Sequence, residues 1–348
     1  MFEFGDLAVP IIAAPMAGGP STPDLVVAVA AAGGMGFLAA GYKSPEAVAE
    51  QIRDVRARTD APFGVNIFVP QRNSYDTEAV QRYRTELLAP ARRYGIELPA
   101  VRERDDDWFD EKVDLLVEQR VPVVSLTFGL PAADTVRRLR DVGCAVVATV
   151  TTADEARGAV TAGVDALCVQ GPDGGGHRAT FRVEDEPGTT PLIDLLDDIT
   201  SWSPLPVVAA GGISDGTRIV EALAHGAVAV QLGTAFLRST ESGAKAAHKA
   251  ALGDPRFTRT VVTRAFSGRP ARGLANEFIA AHEDTAPAAY PQLHHLTSPI
   301  RAAAAAEQIP DDMALWAGTE FRRTAQDSAG SIVQRLWDEA RASGAAQG

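Results

Sequence analysis

The sequence predicts an α/β chain folded as a (β/α)8 TIM barrel, with a helical elaboration and a C-terminal lid or cap insertion. Three observations lead there. Short continuous apolar runs alternate with longer amphipathic segments, the pattern of parallel strands covered by helices on both faces. Eight such runs occur, which is the number a barrel needs. The last two each end in glycine, at Gly211-Gly212 and at Gly233-Thr234, where such barrels hold a phosphate between their last two strand-to-helix loops.

In chain order the strand runs cover residues 8–14, 35–39, 63–68, 121–126, 145–149, 166–169, 206–209 and 228–232. Helix starts fall between them. Ser21-Thr-Pro precedes an apolar-periodic stretch, Ser44-Pro-Glu precedes a second, and Thr151-Thr-Ala-Asp-Glu a third. Hydroxyls there can cap free N–H groups, proline suits the first turn, and early acids suit the helix dipole. Glycines 33, 143, 163 and 226 close several helices. Residues from about 70 to 119 are charged and read as a solvated helical elaboration. Residues 254–315 turn irregular around Pro270, Pro287, Pro291, Pro299 and Pro310, too long for a loop and too apolar for a linker. Residues 320–341 have helical spacing. The expected units are a barrel over 1–253, a lid or cap over 254–318, and a C-terminal helix packing on the barrel over 319–348.

Composition agrees with one large core. The chain has 348 residues and is 46% hydrophobic, enough for one barrel plus an insertion. Thirty-three basic residues against 45 acidic ones give a net charge of −12, which repels nucleic acid and anionic membrane. Neither partner is expected. Cys144 and Cys168 sit in or beside apolar strand runs and read as core. The N-terminus lacks a basic region followed by an apolar stretch, and no window holds 18 uninterrupted apolar residues, so a cytoplasmic protein is expected. Homo-oligomerisation stays open.

Chemistry in a barrel belongs to the C-terminal ends of the strands. Those ends deliver Pro15-Met16-Ala17-Gly18-Gly19, Gly41-Tyr42, Asn66 and Phe68, Thr127-Phe128-Gly129, Thr149 and Thr151, then Gln170 and His177. The rim is rich in glycine, amide and hydroxyl groups and has no carboxylate cluster or His-Cys set at metal spacing, so no metal is expected. A flat, uncharged, hydrogen-bonding ring with a phosphate tail suits such a rim, which points to FMN. His177 rides on the glycine-rich loop Gln170-Gly-Pro-Asp-Gly-Gly-Gly-His-Arg178 leaving a buried strand, a setting for a catalytic base.

The set Ala14-Pro-Met-Ala-Gly-Gly19, Gly64-Val-Asn-Ile67, Val169-Gln-Gly with Gly175-Gly-His-Arg178, and Ala209-Ala-Gly-Gly-Ile-Ser-Asp-Gly216 with Gly233-Thr234 resembles the nitronate monooxygenases, formerly 2-nitropropane dioxygenases. The resemblance spans nearly the whole chain. It implies that Pro15, Met16 and Ala17 line a flavin ring, that Asn66, Gln170 and Gly175 hydrogen-bond it, and that Gly212 with Gln231, Leu232, Gly233 and Thr234 holds its phosphate. His177 is then the catalytic residue. The implied reaction is oxidation of an alkyl nitronate by dioxygen: the anion gives one electron to FMN, oxygen traps the radicals, and nitrite and a carbonyl compound leave. A neutral His177 would remove the α-proton of a nitroalkane, and a protonated one would hold the nitronate's charge. The chain departs from the family at Asp173-Gly174 and Ala179, where Glu-Ala and glycine are usual, which predicts a looser loop.

A second reading stays open. FMN-dependent NAD(P)H reductases acting on enoyl-acyl-carrier substrates or quinones resemble the same barrel and carry Gly-Gly-His on the same loop. Of the other histidines, His225 reads as a helix-end cation, His248 as part of a helix face, and His294-His295 as structural residues of the lid. Arg178 has two equal readings, steering an anion or tying down its loop.

Overall fold

The structure is a computed structural model and describes residues 2–70 and 75–345. Positions 71–74, near the start of the expected elaboration, and 346–348, at the end of the expected C-terminal unit, lie outside the described residues. In chain order the strands are β1 Ile11–Ala13, β2 Met35–Ala39, β3 Gly64–Phe68, β4 Val123–Thr127, β5 Ala145–Val150, β6 Ala166–Gln170, β7 Gly176–His177, β8 Val207–Ala210, β9 Ala227–Leu232, β10 Thr260–Thr263 and β11 Ala271–Leu274. Strands β1 to β6, β8 and β9 pair in parallel in that order, and β9 returns to β1. This closed eight-stranded barrel is the one predicted, and each predicted run overlaps its strand.

The runs are apolar throughout because both faces are covered. Ile12, Met35, Phe37, Val123, Val147, Cys168, Val208 and Ala229 form one buried cluster inside the barrel. Their neighbours Ile11, Leu38, Val124, Val146, Leu167 and Val230 join a second cluster with the surrounding helices. Alternation of side chains along a strand makes this division.

The helices are α1 Pro23–Ala31, α2 Pro45–Arg58, α3 Thr77–Glu86, α4 Leu88–Arg93, α5 Phe109–Gln119, α6 Ala133–Asp141, α7 Ala153–Ala162, α8 Leu192–Trp202, α9 Gly216–Ala224, α10 Ala246–Ala251, α11 Glu277–His282, α12 Gln292–Ala306 and α13 Ala329–Ala345. Three of the predicted starts are capped by side chains: Thr22 Oγ1 accepts from Leu25 N, Ser44 Oγ from Ala47 N, and Thr152 Oγ1 from Glu155 N.

Three expectations are corrected. The elaboration is not solvated all round, because Val80, Tyr83, Leu87 and Ala91 on one face of α3 and α4 pack against Phe266, Phe278, Leu293 and Leu296. The stretch after residue 254 is ordered secondary structure, with β10 and β11 antiparallel and α12 running straight through Pro299. Helicity near the C-terminus begins at Ala329, where Ser328 Oγ accepts from Ser331 N and Glu241 Oε2 from Ala329 N. Helix α13 lies on α9 and α1.

Candidate active site

The C-terminal ends of the barrel strands open into a cavity of about 500 Å³. The twelve residues given a cofactor or catalytic role from the sequence all line it: Pro15, Met16 and Ala17 after β1, Asn66 in β3, Gln170 at the end of β6, Gly175 and His177, Gly212 after β8, and Gln231, Leu232, Gly233 and Thr234 around the end of β9. Gly19, Gly41, Gly129 and Thr151 of the expected rim do not. The tertiary fold brings all twelve to one hollow.

The glycine ends have the free donors that an oxyanion needs. Among the described residues, the N–H groups of Gly212 and Gly233 have no hydrogen-bond acceptor elsewhere in the chain. Gly211 and Gly212 have φ of 98° and 77°, a region that favours glycine. A β-carbon on Gly212 would lie 2.8 Å from Cβ of Asp173, so the loop after β8 packs tightly on the loop after β6 here. This end of the cavity suits a phosphate by its donor set.

The His177 loop is held firmly, contrary to the looseness expected from Asp173-Gly174 and Ala179. Gly176 and His177 form β7, antiparallel to Arg272 and Ala271 of β11. Gln170 ties the loop's two sides together: its Nε2 donates to the His177 carbonyl at 3.1 Å, and its Oε1 accepts from Ala179 N at 3.0 Å. Arg178 is buried, donates its backbone N–H to the Pro270 carbonyl, and directs Nε toward Gln170 Oε1. Of its two readings, the structure gives the loop tie.

His177 Nε2 lies 2.9 Å from Ser267 Oγ, and that hydroxyl is 3.1 Å from the Arg269 carbonyl oxygen, to which it donates. When that hydroxyl gives its single proton to the carbonyl, Nε2 is the donor to Ser267 and Nδ1 keeps the lone pair. The imidazole is packed against Phe128, Tyr290 and Trp316, with ring centroids 5.5 to 5.7 Å away. Burial, then the charges of Arg269 and Arg301, pushes its pKa down to about 3. The ring is therefore neutral at physiological pH.

Around it stand Tyr290, Arg269 and Arg301, which the sequence reading did not identify, with Tyr42 and Phe128 of the expected rim and His294, which lines the cavity although it was expected to be structural. Tyr42 and Tyr290 share a hydrogen bond between their hydroxyls at 3.0 Å, and Tyr42 stacks on His294 at 3.8 Å. Arg269 places its guanidinium 4.1 Å from the centre of the Phe128 ring. Its Nη1 donates to the Thr180 carbonyl, while Nε and Nη2 are buried without partners in the described structure. Arg301 lines the cavity from α12 beside His294, Ser298, Ala302 and Ala305. That spacing of four, three, one and three is one face of a helix. It was readable in the sequence once residues 292–306 are taken as a helix, which the prolines argued against.

The other histidines have local duties. His225 Nδ1 pairs with Asp197 Oδ1 at 2.5 Å, His295 Nε2 with Asp105 Oδ2 at 2.6 Å, and His248 Nε2 meets the Trp316 carbonyl at 3.1 Å. Both cysteines are buried in the core, and burial pushes Cys168 up to about 12. No group of three or more His, Cys, Asp or Glu able to hold a metal occurs among the described residues. Nor does any described helix have the length and apolarity to cross a membrane.

A family model described as nitronate monooxygenase matches residues 4–339. A probable nitronate monooxygenase of Staphylococcus saprophyticus is 38% identical over 337 residues, covering 95% of this chain and 94% of its own. One from Staphylococcus aureus is 37% identical, with 94% and 93% covered. Among solved structures, a nitroalkane oxidase from Streptomyces ansochromogenes superposes with a TM-score of 0.95 at 46% identity, covering 99% of both chains. FabK from Thermotoga maritima follows the same fold with a TM-score of 0.76 at 27% identity, covering 98% of this chain and 96% of its own. Matched by this family model and these relatives along almost its full length, the chain is an oxidoreductase and belongs to the nitronate monooxygenase family.

Proposed function

We propose that the protein oxidises alkyl nitronates with dioxygen, cleaving the C–N bond to give a carbonyl compound and nitrite, with FMN as its cofactor. The observation that carries this reading is a neutral, rigidly held imidazole in the same cavity as the unpaired N–H groups of Gly212 and Gly233. FMN, when bound, supplies the electron acceptor. The phosphate would be held by Gly212 and by residues 231–234, with Pro15, Met16 and Ala17 against the ring. Asn66 and Gly175 would meet its polar edge, along with the part of the Gln170 amide that the loop leaves unused.

His177 accepts a proton at Nδ1 when the substrate arrives as the neutral nitroalkane, and Ser267 holds the ring in the tautomer that makes this possible. A bound anion offsets the nearby arginine charges and so raises the imidazole's affinity for that proton. The apolar and aromatic walls from Phe128, Tyr290 and Trp316 exclude water, which strengthens each of these interactions. Residues 254–318 serve as the cap, because Ser267, His294, Arg301 and Trp316 all come from them.

Purified protein should be yellow, and an alkyl nitronate in air should release nitrite without any pyridine nucleotide. Anaerobic bleaching of the flavin by NADH, with reoxidation by a quinone or enoyl thioester and no nitrite from nitronates, would replace this reading with that of a reductase.

A further inference from the structure

The cavity has a cation that nothing in the protein neutralises. Arg301 Nε donates to Thr297 Oγ1 at 3.1 Å, and Nη2 donates to the His294 carbonyl at 3.0 Å and to Ser298 Oγ at 2.8 Å. Nη2 also lies 3.2 Å from Nδ1 of His294, whose pKa burial holds well below the ordinary value, so none of the four partners is an anion. No carboxylate pairs with Arg301 among the described residues, and its Nη1 donates to nothing in the chain. The guanidinium is thus locked by its Nε and Nη2 edge on α12, with two N–H donors of Nη1 left over. Buried charges are normally paired, and an unpaired one marks a place where a ligand completes the pair.

What it faces narrows the ligand. Arg301 acts electrostatically on His177, and Tyr42 is the one ionisable group that favours its charge. Ala302 and Ala305 continue the same helix face along the cavity, joined there by Met313. A charged head beside Nη1 would therefore be followed by small apolar side chains, which suits an alkyl group and not a second charge. With Nε and Nη2 engaged, the contact left to a ligand is through the two N–H donors of Nη1, which suit a small oxyanion head and not a bidentate fork.

We propose that Arg301 is the residue that recognises the substrate's negative charge, and that the site takes small organic oxyanions, a nitronate or a carboxylate of the same shape. The proposal deepens the nitronate reading and rests on it for the reaction, but not for the binding. It also divides the labour: Arg301 holds the anion, and His177 handles the proton.

The test uses flavin-loaded wild type and the variants R301Q and R301K. Isobutyrate, a carboxylate close in shape to propane-2-nitronate, is titrated calorimetrically, and KM is measured for that nitronate and for neutral 2-nitropropane. We expect R301Q to weaken isobutyrate and to raise the nitronate KM, each by at least about tenfold, while the nitroalkane KM stays within about twofold. R301K, which keeps a positive charge but loses the Nη1 donors, should lie between. R301Q should be at least as heat-stable as wild type, because it removes an unpaired, partly buried charge. Unchanged isobutyrate affinity and nitronate KM in folded R301Q would overturn the proposal. If R301Q does not fold, the shape-matched neutral R301M decides, and wild-type values in it count against Arg301. Wild type that binds isobutyrate but releases no nitrite from any nitronate would instead refute the proposed reaction and leave the anion site standing.

Discussion

Nε2 of His177 and Oγ of Ser267 lie 2.9 Å apart although 90 residues separate them in the chain. The contact joins the glycine-rich loop after β6 to the cap, and it decides which imidazole nitrogen is free. S267A should therefore lower kcat for 2-nitropropane by about tenfold or more, because the ring loses the bond that selects its tautomer. The preformed nitronate should suffer less, since its proton is already gone. Equal losses on both substrates with normal flavin content would show that Ser267 does not act through the imidazole.

H177N should keep the flavin and lose on the order of 10²-fold in turnover of the nitroalkane. Steady-state rates on the nitroalkane and on the nitronate separate two roles: the defect shrinks with nitronate if the ring only moves a proton, and persists if it also touches the anion. Wild-type rates on both would remove His177 from the reaction.

Acid should destabilise the fold through buried histidines. His177 is held down to about 3 and His248 to about 4, both chiefly by burial, against an ordinary value of about 6.5. Their folded pKa values lie below the unfolded ones, so between pH 6.5 and about 4 the unfolded chain takes up protons that the native state refuses. Stability is complete above about pH 6.5 and falls as pH drops, with a limiting slope of about 1.4 kcal/mol per pH unit for each such proton. Denaturant melts at pH 5, 6 and 7 should show the decline. H248Q, whose amide can still donate to the Trp316 carbonyl, should flatten it, and an unflattened slope would assign the proton uptake elsewhere.

The same depression bears on catalysis. A neutral His177 throughout pH 5 to 8 predicts that kcat/KM for the nitroalkane has no ionisation of the free-enzyme imidazole in that window. A limb near pH 6.5 that disappears in H177N would contradict this.

G212V should purify largely without cofactor. A β-carbon at Gly212 meets Asp173 Cβ at 2.8 Å and sits at φ 77°, so the loop must move and its unpaired N–H moves with it. Flavin content read from the visible spectrum checks this, with the midpoint of thermal unfolding as the control for folding. Full flavin occupancy would mean that the phosphate is held elsewhere.

The barrel was legible in the sequence because its determinants are local. Each strand run, such as the one at 145–149 that became β5, is a continuous apolar stretch bounded by a glycine turn or a capping hydroxyl, and burial on both faces demands that pattern. The cavity-lining role of residues 170–177, 211–212 and 233–234 followed from the same logic, since strand ends face one way in a parallel barrel. The rest depended on pairs far apart in the chain. Gly176 and His177 became a strand only by pairing with Arg272 and Ala271, and no periodicity marks a two-residue strand. Tyr42 and Tyr290 meet across 248 positions. Pro299 signalled a break, yet α12 continues through it: the proline withholds a donor only from the His295 carbonyl, while Leu293, Leu296 and Ile300 on either side are buried in the packed face of the helix. By itself the sequence determined the barrel and the glycine ends that face the cavity. The tertiary structure alone decided the proton state of His177 and the solitary charge of Arg301, because both depend on which groups burial leaves nearby and which it removes from water.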